Sequence, residues 1–321
     1  MVTMPDTLFA NNVYKKAWER LSETHDMFNK DPDDIRAQLI YGSSGIGKTF
    51  ILKSYVAQFE PVTSPEKTTV PVFYVAFKEF KKSTAEITRF LISELGGIAQ
   101  NSKTPAAELD AQLIHLLKKH EVEMIIMDEI QNIASSYDGI EFQRIIKYFC
   151  YLIDSNKIRC SMVFAGTSSA KRLLTFGTTA GKFDDDEQMS RRQMRPIEIT
   201  PILPKTQNWL DCCNWFIRQV GLPDLEVNKH NELLDRIYLA YSEHTMSTMR
   251  DLFLRNNTRK VENYEQLVLA LYDNFEKYAT GGINPFDYEF LTQEQLTAYI
   301  DEQDKSLRSQ SCLRKPQQPR R

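Results

Sequence analysis

An eight-residue run in the first fifth of the chain has the residue types that bind phosphate. It fits the pattern G-x-x-x-x-G-K-[ST] throughout and consists of Gly42, Ser43, Ser44, Gly45, Ile46, Gly47, Lys48 and Thr49. Glycines allow the backbone to curl so that successive N–H groups point at one phosphate. Lys48 would then bridge the β- and γ-phosphates of a nucleoside triphosphate, and Thr49 would hold Mg²⁺. The alternative is a glycine loop that only turns the chain.

A second candidate is the apolar run 124–127, which ends in Asp128 and Glu129. An apolar strand that ends in Asp-Glu is the Walker B pattern, in which Asp128 would hold Mg²⁺ and Glu129 would polarise an attacking water. Such a run is often only a strand that leaves the core. Because it follows a complete phosphate-binding loop, the catalytic interpretation is favoured.

Thr167 follows another apolar run, 160–166. At the tip of a neighbouring strand, its hydroxyl could contact the γ-phosphate or the water. It could also cap the helix that the next residues predict, as threonine commonly does, and the two roles are compatible.

Arginines could complete this chemistry. Arg191, Arg192 and Arg195 precede a short apolar run, and one of them could contact the nucleotide of a neighbouring subunit. The alternative for each is a solvated surface residue. Arg250, in a later helical pattern, could fold over the phosphates or pair locally with Asp251 or Glu243.

The elements that must position these residues follow from hydrophobic periodicity. Up to residue 200, runs typical of strands alternate with runs typical of helices, which predicts a mostly parallel sheet with helices on both faces. The predicted strands are 39–41, 70–77, 122–129, 160–167 and 197–200. The predicted helices are 13–29, 50–59, 84–95, 106–119 and 141–154. After Pro204 the patterns are helical only.

Four segments are predicted on this basis. They are an N-terminal helical segment (1–30), an α/β nucleotide-binding domain (31–203), an all-helical domain (204–300) and a flexible tail (301–321). Residues 305–321 have six basic residues and no acidic one, so the tail could contact DNA or an acidic partner, or could serve only solubility.

Composition excludes several classes of protein. With 42% apolar and 26% charged residues in 321, the chain is neither disordered nor collagen-like. Five cysteines without paired C-x-x-C spacing indicate reduced thiols, and the histidines lack ligand spacing, so no metal beyond Mg²⁺ is expected. With no signal pattern and no membrane-length apolar run, we expect an intracellular, soluble protein. Since the net charge is −3, any nucleic-acid surface must be local.

With these motifs in this order, residues 10–280 resemble the AAA+ ATPases, and within them the TnsC/TniB group of transposition regulators. The segments that carry the resemblance to that group are 70–80, 120–133, 163–170 and the RR-x₃-P turn at 191–196. The resemblance implies a P-loop AAA+ sandwich with a C-terminal helical lid. It also assigns roles to the candidate residues: Lys48 and Thr49 match Walker A, Asp128 and Glu129 Walker B, Thr167 sensor 1, Arg191 or Arg192 the arginine finger, and Arg250 sensor 2.

The resemblance further implies that ATP and Mg²⁺ bind between subunits and join them into a ring or helical filament around double-stranded DNA. The assembly would recruit a transposase, link it to a target-selecting protein, and disassemble on hydrolysis. This implies a DNA-associated protein of the prokaryotic cytoplasm, without a membrane partner.

Two segments are candidates for the DNA contact. Lys81, Lys82, Ser83 and Thr84 open one predicted helix, and Lys103 and Thr104 precede another. Each segment could present a lysine and a helix N-terminus to phosphate, without reading the sequence. The alternative is ordinary helix capping with solvated lysines.

Two other functions fit less well. An initiator or helicase-loader ATPase would be expected to carry a DNA-reading module such as a winged helix, for which only 281–321 remain. A non-catalytic scaffold in signalling or defence would not need the intact set of Lys48, Asp128 and Glu129.

Overall fold

The apolar runs identified in the sequence form one parallel sheet in the computed structural model. The structure describes residues 2–5, 8–30, 35–98, 103–134, 140–154, 158–175, 188–203, 205–241, 246–255, 258, 261–279 and 282–313. Glu243, one of the two proposed partners of Arg250, lies outside these residues. The chain divides into two compact units, Met1–Thr200 and Pro201–Arg321.

The first unit alternates strands with helices. Its strands are β1 (Ala37–Gly42), β2 (Val62–Thr63), β3 (Thr68–Thr69), β4 (Val72–Ala76), β5 (Met124–Asp128), β6 (Ser161–Gly166) and β7 (Ile197–Ile199). Its helices are α1 (Asn12–Lys30), α2 (Lys48–Val56), α3 (Thr84–Glu94), α4 (Ala106–Lys119), α5 (Gln131–Ala134), α6 (Ile140–Asp154), α7 (Arg172–Thr175) and α8 (Gln188–Arg191). A 3-10 turn spans Ser168–Lys171, and β2 and β3 form a separate antiparallel hairpin.

The main sheet has the order β4-β5-β6-β1-β7, and every neighbouring pair is parallel. All residues of β1, β5 and β6 are buried, as expected for strands covered by helices on both faces. The predicted α/β fold class is confirmed. Because the strands are parallel, the segments that follow Gly42, Ala76, Asp128 and Gly166 all leave the same edge of the sheet.

All regular elements among the described residues of the second unit are helices. Its helices are α9 (Gln207–Gln219), α10 (Val227–Ala240), α11 (Met246–Phe253), α12 (Tyr264–Tyr278) and α13 (Gln293–Leu313). The Thr206 and Asn263 side chains cap α9 and α12 by accepting a backbone N–H. Trp209, Cys212 and Phe216 are buried on one face of α9, where they form part of the core of this unit.

The start of the flexible tail, predicted at residue 301, is wrong. Helix α13 continues through residue 301 to Leu313, while 314–321 lie outside the described residues. The first turns of α13 are anchored by the buried side chains of Leu296 and Ile300. Most of the residues that follow have a good helix propensity and can continue a helix that has already formed.

Among the residues that the structure describes, no helix combines the length and apolar character needed to cross a membrane.

Candidate nucleotide-binding site

The loop between β1 and α2 has a backbone that requires glycine. Gly45 has φ 72° and Gly47 has φ 97°, both in the left-handed region that disfavours other residues. A β-carbon on Gly42 would collide with the carbonyl oxygen of Ile199 on the adjacent strand β7. The sequence therefore places glycine where the chain must curl at the edge of the sheet, and α2 begins directly after the curl.

Lys48 lies inside this curl. Its Nζ donates to the carbonyl oxygens of Gly42 at 2.9 Å and Ser43 at 2.8 Å, and the residue is only 6% exposed. Burial lowers the pKa of Lys48, and the nearby carboxylates of Asp128 and Glu129 oppose that shift without cancelling it. The loop therefore surrounds a buried cation with neutral acceptors, an arrangement that an anionic phosphate would stabilise.

Thr49 and Asp128 meet across the edge of the sheet. The Thr49 hydroxyl donates to Asp128 Oδ2 at 2.6 Å, and the Tyr74 hydroxyl of β4 donates to the same oxygen at 2.9 Å. The backbone N–H of Glu129 donates to Asp128 Oδ1 at 2.8 Å. Hydroxyl and carboxylate oxygens are the donors that Mg²⁺ takes, so Thr49 and Asp128 fit this ion.

The sequence did not identify Tyr74. Burial and then the Asp128 charge raise the pKa of Tyr74, and its protonated phenol donates to Asp128. Only knowledge of the strand order could have identified Tyr74, because it meets Asp128 only when β4 lies beside β5.

Glu129 and Thr167 are brought together through a third residue. Gln131 donates its side-chain N–H to the Glu129 carboxylate and accepts the backbone N–H of Thr167 at 3.1 Å. The Thr167 hydroxyl lies 2.8 Å from that of Ser169. Thr167 stands at the start of the 3-10 turn, but its side chain makes no capping hydrogen bond.

The N-terminal helix also contacts the loop. The buried hydroxyl of Tyr14 on α1 donates to the carbonyl oxygen of Ile46 at 2.8 Å. Asn11 accepts the Tyr14 backbone N–H at 2.7 Å, which fixes the first turn of α1. The segment before the α/β pattern therefore supports the phosphate-binding loop directly.

A model of the family described as bacterial TniB protein matches residues 6–198, more than half of the 321 residues. The chain belongs to the TniB family. This confirms the resemblance of the motifs to the TniB group, and the fold is that of an AAA+ ATPase.

Solved structures are similar to this TniB protein at low sequence identity. The Walker-type ATPase paby2304 of Pyrococcus abyssi matches with a TM-score of 0.51 and 14% identity, over 96% of this chain and 78% of that one. The ORC2 protein of Aeropyrum pernix, in ADPNP-ADP complexes, gives 0.49 and 16% over 88% and 72%. The ORC1 protein of Aeropyrum pernix in complex with DNA gives 0.42 and 12% over 94% and 84%. No curated protein matches the sequence.

The arginines of this TniB protein differ in their surroundings. Arg192 makes a two-pronged ion pair with Asp154, at 2.6 Å from Nε to Oδ1 and 2.5 Å from Nη2 to Oδ2. Arg191 and Arg195 are exposed. Arg250 is in the second unit, where it lies in the later part of α11 and pairs with Asp251 at 3.1 Å, the local partner that the sequence analysis weighed.

The segment before α3 combines capping with exposed charge. Ser83 caps the helix by accepting the Glu86 N–H at 3.3 Å, and Glu86 in turn accepts the Lys82 N–H at 2.7 Å. Lys82 is exposed, whereas the half-buried Lys81 lies over the ring of Phe90.

The segment before α4 has a less complete cap. Pro105 occupies the N-cap position and provides no side-chain hydrogen bond. Lys103 is exposed and Thr104 is half-buried. Of the six DNA candidates, the two that present the most exposed charge are therefore Lys82 and Lys103.

Proposed function

We propose that this TniB protein is a Mg²⁺-dependent ATPase that regulates DNA transposition. In this proposal it assembles on double-stranded DNA as an ATP-bound ring or filament and recruits a transposase to a target chosen by a further protein. Hydrolysis then disassembles the assembly, so that ATP acts as a switch for self-association.

The observation that carries the proposal is the convergence of Lys48, Thr49, Asp128 and Glu129 at one edge of the sheet. On binding ATP, Lys48 would exchange its two carbonyl acceptors for phosphate oxygens. Mg²⁺ held by Thr49 and Asp128 would neutralise part of the phosphate charge. Glu129 would orient the attacking water and draw its proton, which requires a fixed carboxylate.

Strand geometry supports a role of Arg191 toward a neighbouring subunit. The residue after Arg191 accepts the Ala37 N–H, so this segment lies beside the first residue of β1, whereas the phosphate-binding loop follows its last. Five residue steps at about 3.3 Å each separate those ends by about 17 Å, more than an arginine side chain spans. Arg191 would therefore serve the nucleotide of a neighbour, while Arg192 stays paired with Asp154.

The DNA contact in this proposal is electrostatic. Exposed Lys82 and Lys103 precede helices and would face phosphates, which gives affinity without sequence preference and a strong dependence on salt.

The test is self-association on duplex DNA of unrelated sequences, measured by sedimentation and electron microscopy with ATP, a non-hydrolysable analogue, or ADP. We expect assemblies with ATP that last longer with the analogue and with Glu129→Gln, and none with Lys48→Ala. Equal assembly in ADP alone would instead favour the non-catalytic scaffold.

A further inference from the structure

One glutamine connects the end of β5 to the end of β6. Gln131 is the first residue of α5, two positions after Glu129. Its Nε2 donates to the Glu129 carboxylate, and its Oε1 accepts the backbone N–H of Thr167 at 3.1 Å. Both candidate residues that would face the γ-phosphate are therefore held through the same side chain.

The two partners fix the orientation of the amide. The Thr167 N–H can only donate, and an ionised Glu129 carboxylate can only accept. Rotating the amide by half a turn would place N–H against N–H and oxygen against carboxylate. Gln131 therefore has one orientation that satisfies both partners, and its N–H is directed at Glu129.

Gly166 provides the space for this side chain. A β-carbon at this position would lie 2.5 Å from Gln131 Oε1, 3.0 Å from the Ile130 side chain and 3.1 Å from that of Ala170. The closest of these atoms is the far end of a flexible side chain, so an added methyl group would displace the amide before it disturbed the backbone.

Glu129 needs such support. Its φ of 58° lies in the left-handed region, which is strained for a residue with a β-carbon. Gln131 Nε2 donates to Oε2 of the Glu129 carboxylate, and the proposed role of Glu129 requires its other oxygen to accept from a water.

We propose that Gln131 is a positioning residue for ATP hydrolysis. From the space beside Gly166, its side chain holds the Glu129 carboxylate in the orientation that polarises the attacking water. The inference rests on the proposed ATPase function, because it concerns the hydrolytic step alone. Binding of ATP through Lys48 and Thr49 does not involve Gln131.

The test is Gln131→Met in the full chain, which keeps the length of the side chain and removes both hydrogen bonds. We expect kcat to fall about tenfold while the KM for ATP changes less than about twofold, because misplaced catalytic groups cost rate and leave ground-state binding intact. The matched control is Gln58→Met, at an exposed glutamine whose amide donates only to a local carbonyl, and its kcat should be unchanged.

Gly166→Ala gives a second route to the same change. Gly166→Ala should lower kcat as Gln131→Met does. The double variant should be no slower than the slower single variant, because both substitutions remove the same contact between Gln131 and Glu129. Three results would overturn the positioning role. The first is an unchanged kcat in Gln131→Met, and the second is a double variant in which the two losses of kcat multiply. The third is a fall in kcat that comes with a matching rise in KM or with a loss of thermal stability.

Glu129→Gln separates this failure from that of the proposed function. If the wild type hydrolyses ATP, Glu129→Gln does not, and Gln131→Met hydrolyses at the normal rate, only the inference fails. If the wild type hydrolyses no ATP with Mg²⁺ and DNA present, the proposed function and the inference fail together.

Discussion

The nucleotide-binding site holds a buried ammonium group between two carbonyl oxygens. The carbonyls of Gly42 and Ser43 satisfy the hydrogen bonds of Lys48 but bring no negative charge. Burial therefore lowers the pKa of Lys48 even though Asp128 and Glu129 are near. The cost of burying the Lys48 charge would be removed when the negative charge of a triphosphate binds beside it.

This balance predicts proton uptake on nucleotide binding. Lys48 has a lowered pKa in the free protein, and phosphate charge would raise it, so binding is linked to protonation of Lys48. We expect the Kd for ATP to rise as pH rises above the lowered pKa, at a pH below the ordinary 10.5 of lysine, and by at most about tenfold per pH unit. Calorimetry in two buffers of different ionisation enthalpy measures the uptake directly.

The control for that measurement is Lys48→Met, which should bind ATP weakly and with no such alkaline dependence. A Kd for wild type that stays constant from neutral to alkaline pH would show that Lys48 is fully charged before ATP arrives.

At the scale of elements, one arginine links α10 to the chain that precedes α13. Arg236 on α10 is buried, and its guanidinium donates to the carbonyl oxygens of Pro285 at 2.6 Å and Leu291 at 2.9 Å. It also pairs with Glu232 at 2.7 Å and lies 3.6 Å from the centre of the Tyr288 ring. The chain before α13 is therefore fixed to α10 by several bonds from one group.

Arg236→Lys should lower the free energy of unfolding of the second unit by about 3 kcal/mol. One ammonium lacks the planar fork of donors, so at least one buried carbonyl would lose its partner. Urea unfolding of the full chain, followed by a signal from this unit, gives the value. Arg218→Lys is the matched control, because its pair with Asp224 is exposed and the substitution should change the free energy of unfolding far less than Arg236→Lys does. Equal losses in the two variants would contradict the role given to Arg236.

The sequence predicted the elements of the sheet well because β1, β5 and β6 are buried on both faces and are therefore mostly apolar. The phosphate-binding loop was equally predictable, because the roles of Gly45, Gly47 and Lys48 depend on residues next to them in the sequence. The continuation of α13 to Leu313 was not, because helix propagation from a buried first turn leaves no apolar pattern in the later turns.

Residues whose role depends on strand order were beyond reach of the sequence. Tyr74 lies far from Asp128 along the chain and meets it only because β4 pairs with β5. Gln131 meets the Thr167 N–H only because β5 pairs with β6. Helical or strand periodicity does not report which strands are neighbours, so such residues appear ordinary until the sheet is assembled.

At the scale of the whole molecule, the first unit has its nucleotide loop at one edge of the sheet and Arg191 beside the opposite end of β1. Under the proposed function, Arg191 of one chain would therefore serve the loop of another chain. Head-to-tail association would place the arginine of each subunit at the loop of the next, which is the geometry that generates rings and helical filaments.

Mixing two inactive variants tests this arrangement. Lys48→Ala should have no working loop but an intact Arg191, and Arg191→Ala the reverse, so each alone should lack ATPase activity. Mixed in equal amounts with DNA, the two should regain activity, because the intact loop of an Arg191→Ala chain would then meet the intact arginine of a Lys48→Ala chain. Arg192→Ala is the matched control, since loss of its pair with Asp154 should lower thermal stability without producing this complementation. Complementation by Arg192→Ala would move the role to Arg192, and no gain in either mixture would mean that the nucleotide site is complete within one chain.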